Sequence, residues 1–335
     1  MRGFTKGTTL VTGAAGFIGS HLVQRLLGRG ERLVCLDNLD GYYAAELKRR
    51  NLEQALGGEA GCFVEGDFRD RRLLAELFAG GEIETVAHMG ARAGVRASLA
   101  APEPYFDINV SGTLALLQAC REYGVRRFVY ASSSSVYGAA SDGRPAVEDV
   151  TPCLPLSPYG ASKLAGEGLC SAYAHLTGMT VMALRFFTVY GPRQRPDMAI
   201  RRFVQMIEEG QEVPVYGDGH SLRDYTFVSD TVSGVEAALR AEAEGYQAVN
   251  LGRGEPVELL RLIAVIEEAL GKRAKLRFLP EQPGDPAATC ADITRARGLL
   301  GYAPEVSIED GVRRFVRWAK EEAGGTRQAE VQETV

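Results

Sequence analysis

Three residue types in this chain are placed to act together on an alcohol. Tyr159-Gly160-Ala161-Ser162-Lys163 follows Pro158, a residue suited to open a helix, and a tyrosine and lysine four apart project from one helical face. Upstream, Ser132-Ser133-Ser134-Ser135 closes the strand-like run Arg127-Phe128-Val129-Tyr130-Ala131, at the end where open α/β sheets bind ligands. A phenol, an ammonium and a hydroxyl suit removal of hydride from a carbinol carbon. The tyrosine serves as base and a serine holds the alcohol oxygen.

Hydride needs an acceptor, and the start of the chain predicts one. Thr12-Gly13-Ala14-Ala15-Gly16-Phe17-Ile18-Gly19 follows the first apolar run and opens a helix pattern with Ile18, Leu22 and Leu26 spaced four apart. Gly13, Gly16 and Gly19 allow a tight turn, and let the backbone approach a pyrophosphate at the positive end of the helix. Asp37 ends the second apolar run, 24 residues after Gly13, where a carboxylate binds ribose hydroxyls and repels a 2′-phosphate. The expected cofactor is therefore NAD rather than NADP. Asp67, after the third run, is placed to reach the adenine amino group. The tyrosine needs that cofactor: lowering a phenol from pKa 10 to neutrality takes roughly 4 kcal/mol. An ammonium about 5 Å away supplies roughly 3 kcal/mol at an effective dielectric of 20, and an oxidised nicotinamide's charge supplies the remainder.

The elements that must position these groups are seven apolar runs, Thr9–Thr12, Arg32–Leu36, Cys62–Glu65, Glu84–His88, Arg127–Ala131, Thr180–Leu184 and Ala248–Leu251, separated by helix-length blocks. Strand, helix, strand in repetition demands crossovers, hence an α/β fold: a doubly wound seven-stranded parallel sheet of Rossmann type. After about Arg185 the pattern loosens, with Pro192, Pro196, Pro214, Gly217 and Gly219 as interruptions. This predicts a dinucleotide domain of residues 1–185 and 225–251 and a smaller α/β domain of 186–224 and 252–322. Residues 323–335 are polar and unpatterned, and read as a flexible tail.

The glycine fingerprint, the Ser…Tyr-x-x-x-Lys set and Phe187-Thr188-Val189-Tyr190-Gly191-Pro192 resemble the extended short-chain dehydrogenase/reductases over about residues 8–320. Within that family, Ala93-Gly94-Val95-Arg96, Ser132–Gly138 and Arg195-Pro196-Asp197-Met198-Ala199 are most similar to the UDP-glucuronate 4-epimerases. The resemblance implies that Phe17 and Ile18 line the pyrophosphate. Asp37 and Asn38 then bind ribose, Asp67 and Phe68 meet adenine, and Asn109 and Lys163 belong to the NAD site. It makes Tyr159 the base and Ser133 the active-site hydroxyl, with Ser134 beside it as the alternative. It assigns Arg96, Thr188, Val215, Tyr216, Arg223 and Asp285 to the sugar nucleotide. It also implies a homodimer through helices around Pro104–Tyr123 and Tyr159–His175.

Epimerisation is favoured among this family's reactions. Sugar-nucleotide dehydratases need an added acid and base beside the serine, and decarboxylases usually place a glutamate before Val-Tyr-Gly. Residues Ser132–Val136 hold no carboxylate, and epimerisation at C4 requires none. Between Arg193 and Arg202, four arginines face one aspartate, a local positive cluster fit to grip a substrate carboxylate. Arg195 is the first choice for that grip and Arg193 the second; Arg201 and Arg202 lie further along a predicted helix. Such a clamp would also restrain the β-keto acid formed at C4 from losing carbon dioxide. The expected reaction is UDP-glucuronate to UDP-galacturonate. Alternatives are a UDP-glucose/UDP-N-acetylglucosamine 4-epimerase, a UDP-glucuronate decarboxylase, and a non-catalytic NAD sensor that would not need Ser133, Tyr159 and Lys163 together.

Composition narrows the rest. Of 335 residues, 45% are hydrophobic and 24% charged, and 38 Lys/Arg against 43 Asp/Glu leave a net charge of −5. A mildly acidic chain has no broad attraction for nucleic acid or anionic membrane, so neither is an expected partner. An anionic ligand must instead meet local positive charge, expected from Arg96, Arg193, Arg195 and Arg223. The six cysteines (Cys35, Cys62, Cys120, Cys153, Cys170, Cys290) lack paired spacing and the four histidines stand apart. They predict no metal site and a cytoplasmic setting.

Overall fold

The apolar runs become strands because buried parallel strands can be hydrophobic on both faces. The computed structural model describes residues 7–58, 62–140, 144–281 and 286–332, with side chains as far as residue 322. In chain order the strands are β1 (Thr8–Thr12), β2 (Leu33–Asp37), β3 (Phe63–Glu65), β4 (Ile83–His88), β5 (Arg127–Ser133), β6 (Thr180–Phe186), β7 (Thr188–Tyr190), β8 (Glu212–Tyr216), β9 (Leu222–Phe227), β10 (Tyr246–Leu251), β11 (Pro256–Glu258) and β12 (Lys275–Leu279). Seven of them form one all-parallel sheet in the order β10-β6-β5-β4-β1-β2-β3.

Alternate residues of each strand point to opposite faces, and the two cores follow that period. Val11, Cys35, Ala87, Val129 and Met182 pack on one side, with the helices Phe17–Leu27 and Val228–Arg240. Leu10, Val34, Val86, Phe128 and Ala183 pack on the other, with Arg71–Phe78, Thr113–Glu122 and Pro158–Thr177. The strand order reverses between β1 and β4. That switch point opens a crevice at their carboxyl ends.

The smaller portion is built on two short sheets, β11-β9-β7 and β12-β8. The amphipathic helices Ala199–Glu208 and Leu259–Leu270 bury Phe203, Val204, Leu262 and Ile266 in the same apolar cluster that backs the large sheet. The last helix, Ile308–Gln332, runs past the point where a tail was expected. Ala, Glu, Gln and Arg favour helix without needing an apolar stripe, which explains the difference. Among the described residues no helix is long and apolar enough to cross a membrane, and no cluster of three metal-ligating side chains occurs.

Candidate active site

The glycine turn is shaped by close backbone approach. Gly13 has φ +67°, and a Cβ there would lie 2.6 Å from the backbone of Gly90 at the end of β4. A Cβ on Gly19 would lie 2.0 Å from the Gly13 carbonyl oxygen. The helix Phe17–Leu27 therefore begins hard against the turn, and its first amides have no intrahelical acceptor and can face an anion. Asp37 sits at the end of β2. Its Oδ2 accepts from Ala15 N at 3.0 Å and its Oδ1 from Leu39 N at 2.9 Å, leaving a lone pair on each oxygen for a diol. Burial raises its pKa, against the nearby Lys48 charge and these two amides.

Asp67 behaves differently. Its carboxylate accepts three bonds from Arg69 (backbone N 2.8 Å, Nε 3.0 Å, Nη2 2.6 Å) and one from Asn38 Nδ2 at 2.8 Å. All four acceptor positions are filled, so the Asp67 carboxylate has none left for an adenine amino group. Phe68 lines the cleft edge-on to His88, with ring centroids 5.0 Å apart.

A buried chain of hydrogen bonds ties this cradle to the catalytic helix. Gly90 N donates to Thr12 Oγ1 (3.2 Å), which lies 2.7 Å from His88 Nδ1; His88 Nε2 lies 3.0 Å from Thr113 Oγ1, which donates to Asn109 O (2.7 Å). This polarity places the imidazole proton on Nε2. Burial pushes the His88 pKa down to about 3, with the Lys163 charge adding to the effect. Asn109 lies outside the cleft wall and works behind it. Its side-chain amide holds Arg92 N (2.8 Å), Arg92 O (2.9 Å) and Ser162 Oγ (2.9 Å), and Ser162 Oγ donates to Tyr159 O (2.8 Å).

Tyr159 opens on the cleft from the first turn of Pro158–Thr177, a helix capped by Ser157. The Ser133 hydroxyl favours the ionised form of that phenol and itself donates to Ser135 Oγ (3.2 Å), whereas Ser134 begins a 3₁₀ turn, Ser134–Val136. Lys163 Nζ donates to Ala131 O at 2.8 Å and lies 4.9 Å from the Tyr130 ring centroid. Burial pushes Lys163 down to about 7, against Cys170 and Glu167. It also pushes Tyr159 above its ordinary value, partly offset by Ser133 and Arg195. Without the cofactor's positive charge, desolvation outweighs what Ser133 and Arg195 contribute, and the phenol stays protonated. Behind the site, Ser132 Oγ donates to Glu167, which grips Arg185 through Nε (3.0 Å) and Nη2 (2.7 Å). Arg185 Nη1 continues to Tyr137 OH (2.9 Å), and Tyr137 to Asn250 Oδ1 (2.8 Å). Asn250 Nδ2 then reaches Ala146 O (2.8 Å) and Asp292 O (3.1 Å).

The arginines separate. Arg195 lines the cleft, its guanidinium 5.5 Å from the Tyr42 ring centroid, and donates from Nε (2.9 Å) and Nη2 (2.8 Å) to Asp197. Arg193 turns away. It adopts φ +61°, and its side chain runs behind the cleft to Gln54 Oε1 (3.1 Å) and Gln24 Oε1 (2.9 Å). Arg201 also leaves the cleft, lying 5.3 Å from the Trp318 ring centroid and bonded to Gln194 O. Arg96 lies 4.8 Å from the Tyr216 ring centroid, so those two expected residues do come together. Val215 is fully buried in the core and offers only backbone. Thr188 starts β7, where it pairs with Tyr225. Arg223 donates to Leu222 O (2.8 Å) and Ala287 O (3.3 Å), and Asp285 lies outside the described residues. Of the four arginines expected to form one positive pocket, Arg195 lines this cleft, Arg193 turns away from it, and Arg96 and Arg223 are not part of its wall.

Residues 9–252 match the NAD dependent epimerase/dehydratase family. The chain belongs to that family. It is 41% identical to a UDP-glucuronate 4-epimerase of Thermodesulfobacterium geofontis, over 94% of this chain and 97% of the relative. Its fold matches the crystal structure of a UDP-glucuronic acid 4-epimerase from Bacillus cereus with UDP-glucuronic acid and NAD (TM-score 0.88, 39% identity, 94% of this chain and 99% of that one). It also matches a UDP-glucose 4-epimerase with UDP-glucose from Thermotoga maritima (TM-score 0.86, 30% identity, 94% and 99%).

As an NAD-dependent epimerase/dehydratase, the chain has a cradle whose close glycine contacts and half-used Asp37 carboxylate fit the dinucleotide. Its cleft also contains Tyr42, Tyr43, Lys48 and Arg92, which the sequence reading missed. Lys48 is buried with Nζ 5.1 Å from the Tyr43 ring centroid, and its charge opposes the rise in the Asp37 pKa. The segment carrying Tyr42 has no motif spacing. Its one signal is Asp40, whose Oδ1 accepts from Tyr42 N at 2.8 Å and holds the turn.

Proposed function

We propose that this enzyme interconverts UDP-glucuronate and UDP-galacturonate by epimerisation at C4 through a 4-keto sugar. The observation that carries the proposal is the Tyr159 phenol opening on the cleft beside a dinucleotide cradle, one helical turn from Lys163 and near the Ser133 hydroxyl at the carboxyl end of β5, with no carboxylate at positions 134 and 135. Ionised with the help of the cofactor's positive charge, Tyr159 takes the C4 hydroxyl proton while Ser133 holds the same oxygen. Lys163, fixed between the Ala131 carbonyl and the Tyr130 ring, orders the polar end of the site. Bound NAD would supply the acceptor for the C4 hydride and the donor for its return to the opposite face. Phe17, Ile18, Asp37 and Asn38 would hold it, with Phe68 against the adenine. Tyr159 then gives the proton back. The cleft arginine Arg195 faces the sugar carboxylate, while Arg96, Tyr216 and Arg223 meet the uridine diphosphate.

Residues 1–185 and 225–251 carry the cofactor, and 186–224 and 252–322 choose the sugar nucleotide. A homodimer through Thr113–Glu122 and Pro158–Thr177 is supported by a cavity between those helices and Arg71–Phe78, lined by Leu74, Tyr123 and Tyr173. A cytoplasmic setting is supported by six free thiols.

Incubation with UDP-glucuronate and no added NAD, followed by product identification, tests the reading. UDP-galacturonate is expected. Conversion of UDP-glucose alone would establish the neutral-sugar alternative, UDP-pentose would establish a decarboxylase, and no turnover of any UDP-sugar by NAD-loaded protein would sink all three.

A further inference from the structure

We infer that Arg92 is a specificity-determining residue of this cleft, supplying a second guanidinium, in addition to Arg195, to the carboxylate of an anionic hexose. The inference rests on the proposed action upon a UDP-hexuronate and names the group that makes the sugar's charge count.

Its placement is built, not incidental. The Asn109 side chain clamps the Arg92 backbone from both sides, accepting from its N–H at 2.8 Å and donating to its carbonyl at 2.9 Å. The same amide reaches Ser162 Oγ at 2.9 Å, and Ser162 Oγ donates to the Tyr159 carbonyl at 2.8 Å. Two side chains thus register the Arg92 backbone on the catalytic helix. The guanidinium then lies 4.7 Å from the Tyr42 ring centroid and 5.8 Å from that of Tyr105, and Tyr105 stands edge-on to Tyr159 with centroids 6.1 Å apart. Aromatic faces of this kind hold a cation in place without using its donors.

Charge and donor accounting favours Arg92 over Arg195 as the selective group. Arg195 already gives Nε and Nη2 to Asp197 in a fork, so its charge is neutralised at close range. Arg92 has a looser partner, with Nη1 3.8 Å from Asp40, and its Nε is buried with no hydrogen-bond partner. A buried unpaired donor is costly, and an incoming carboxylate would satisfy it along with the adjacent nitrogen. A neutral hydroxymethyl group could not offer the same two-oxygen match.

The test uses NAD-loaded wild type, Arg92→Gln and Arg92→Lys. Dissociation constants are measured calorimetrically for UDP-glucuronate, UDP-glucose and UDP, alongside turnover and bound NAD. Arg92→Gln should weaken UDP-glucuronate roughly 10- to 100-fold while leaving UDP-glucose and UDP within about threefold. Arg92→Lys should fall between, since an ammonium keeps charge but loses the fork. Equal losses with all three ligands, or unchanged binding of UDP-glucuronate, would overturn the inference. Loss of bound NAD in Arg92→Gln but not in wild type would overturn it too, by assigning Arg92 to the cofactor's phosphates. Wild type that does not turn over UDP-glucuronate would instead remove the proposed function.

Discussion

Lys163 donates to the carbonyl of Ala131 at 2.8 Å, two residues before Ser133, the serine beside Tyr159. The amine is therefore anchored to the strand that carries the serine, in a setting dry enough to push it down to about 7. Between about 7 and its ordinary 10.5 the unfolded chain keeps this proton and the folded chain gives it up. Over that window the Lys163 contribution to stability rises with pH, and it is lost as pH falls through about 7. Urea unfolding of wild type and Lys163→Met at pH 7.5 and 8.5 should show the difference moving toward wild type by roughly 1 kcal/mol per pH unit. A difference that does not change with pH would mean the lysine stays charged in the fold.

The two serines should differ sharply. Ser133→Ala removes the hydroxyl that favours an ionised Tyr159 and is proposed to hold the C4 oxygen, and should lower kcat by about 10²-fold. Ser134→Ala removes a side chain at the start of a 3₁₀ turn and should stay within about threefold of wild type. Turnover with UDP-glucuronate decides: a large loss in Ser134→Ala with Ser133→Ala near wild type would move the active hydroxyl to Ser134, and comparable losses would end the distinction.

Arg195→Ala addresses the keto acid. A carboxylate fixed out of line with the C4 carbonyl π system resists loss of carbon dioxide, and the Arg195–Asp197 pair forms cleft wall at that place. The variant should epimerise more slowly and release more UDP-pentose or 4-keto-pentose. Chromatography of the products settles the matter. Slower turnover with no rise in decarboxylated sugar would leave Arg195 a binding group only.

Gly19→Ala should act through shape. Its methyl would sit 2.0 Å from the Gly13 carbonyl oxygen, so the turn must move to admit it. Overpacking of this kind costs about 1–3 kcal/mol. The purified variant should carry little NAD by absorbance and melt several degrees lower. Full NAD content would show that the turn can yield.

What could be read from the residues alone followed from local pattern. The seven sheet strands are short apolar runs, and Tyr159 and Lys163 share a helix face through their spacing, so both were legible. Choosing between Arg193 and Arg195 was not, because the two diverge at a backbone φ of +61° that no periodicity announces. Arg92 and Tyr42 were missed for a related reason: each sits on a loop after a strand, placed by a distant partner such as Asn109. Asp67 was expected to reach the adenine amino group; it lines the cleft, but its carboxylate is filled by Arg69 and Asn38, a matter of three-dimensional neighbours.

The Glu167–Arg185–Tyr137–Asn250 chain bears on how a sugar could turn over during one catalytic cycle. It links the catalytic helix to β5, β6 and β10, and ends on the backbone at Ala146 and Asp292. Every link is buried, and breaking one strands a charge or a polar group in a dry interior. The floor of the cleft is thus a rigid anvil that keeps hydride donor and base in one register for both halves of the reaction. Swivelling room for the ketone has to come from the ceiling, so evolution could retune which sugars flip by reshaping the roof and leaving the anvil alone.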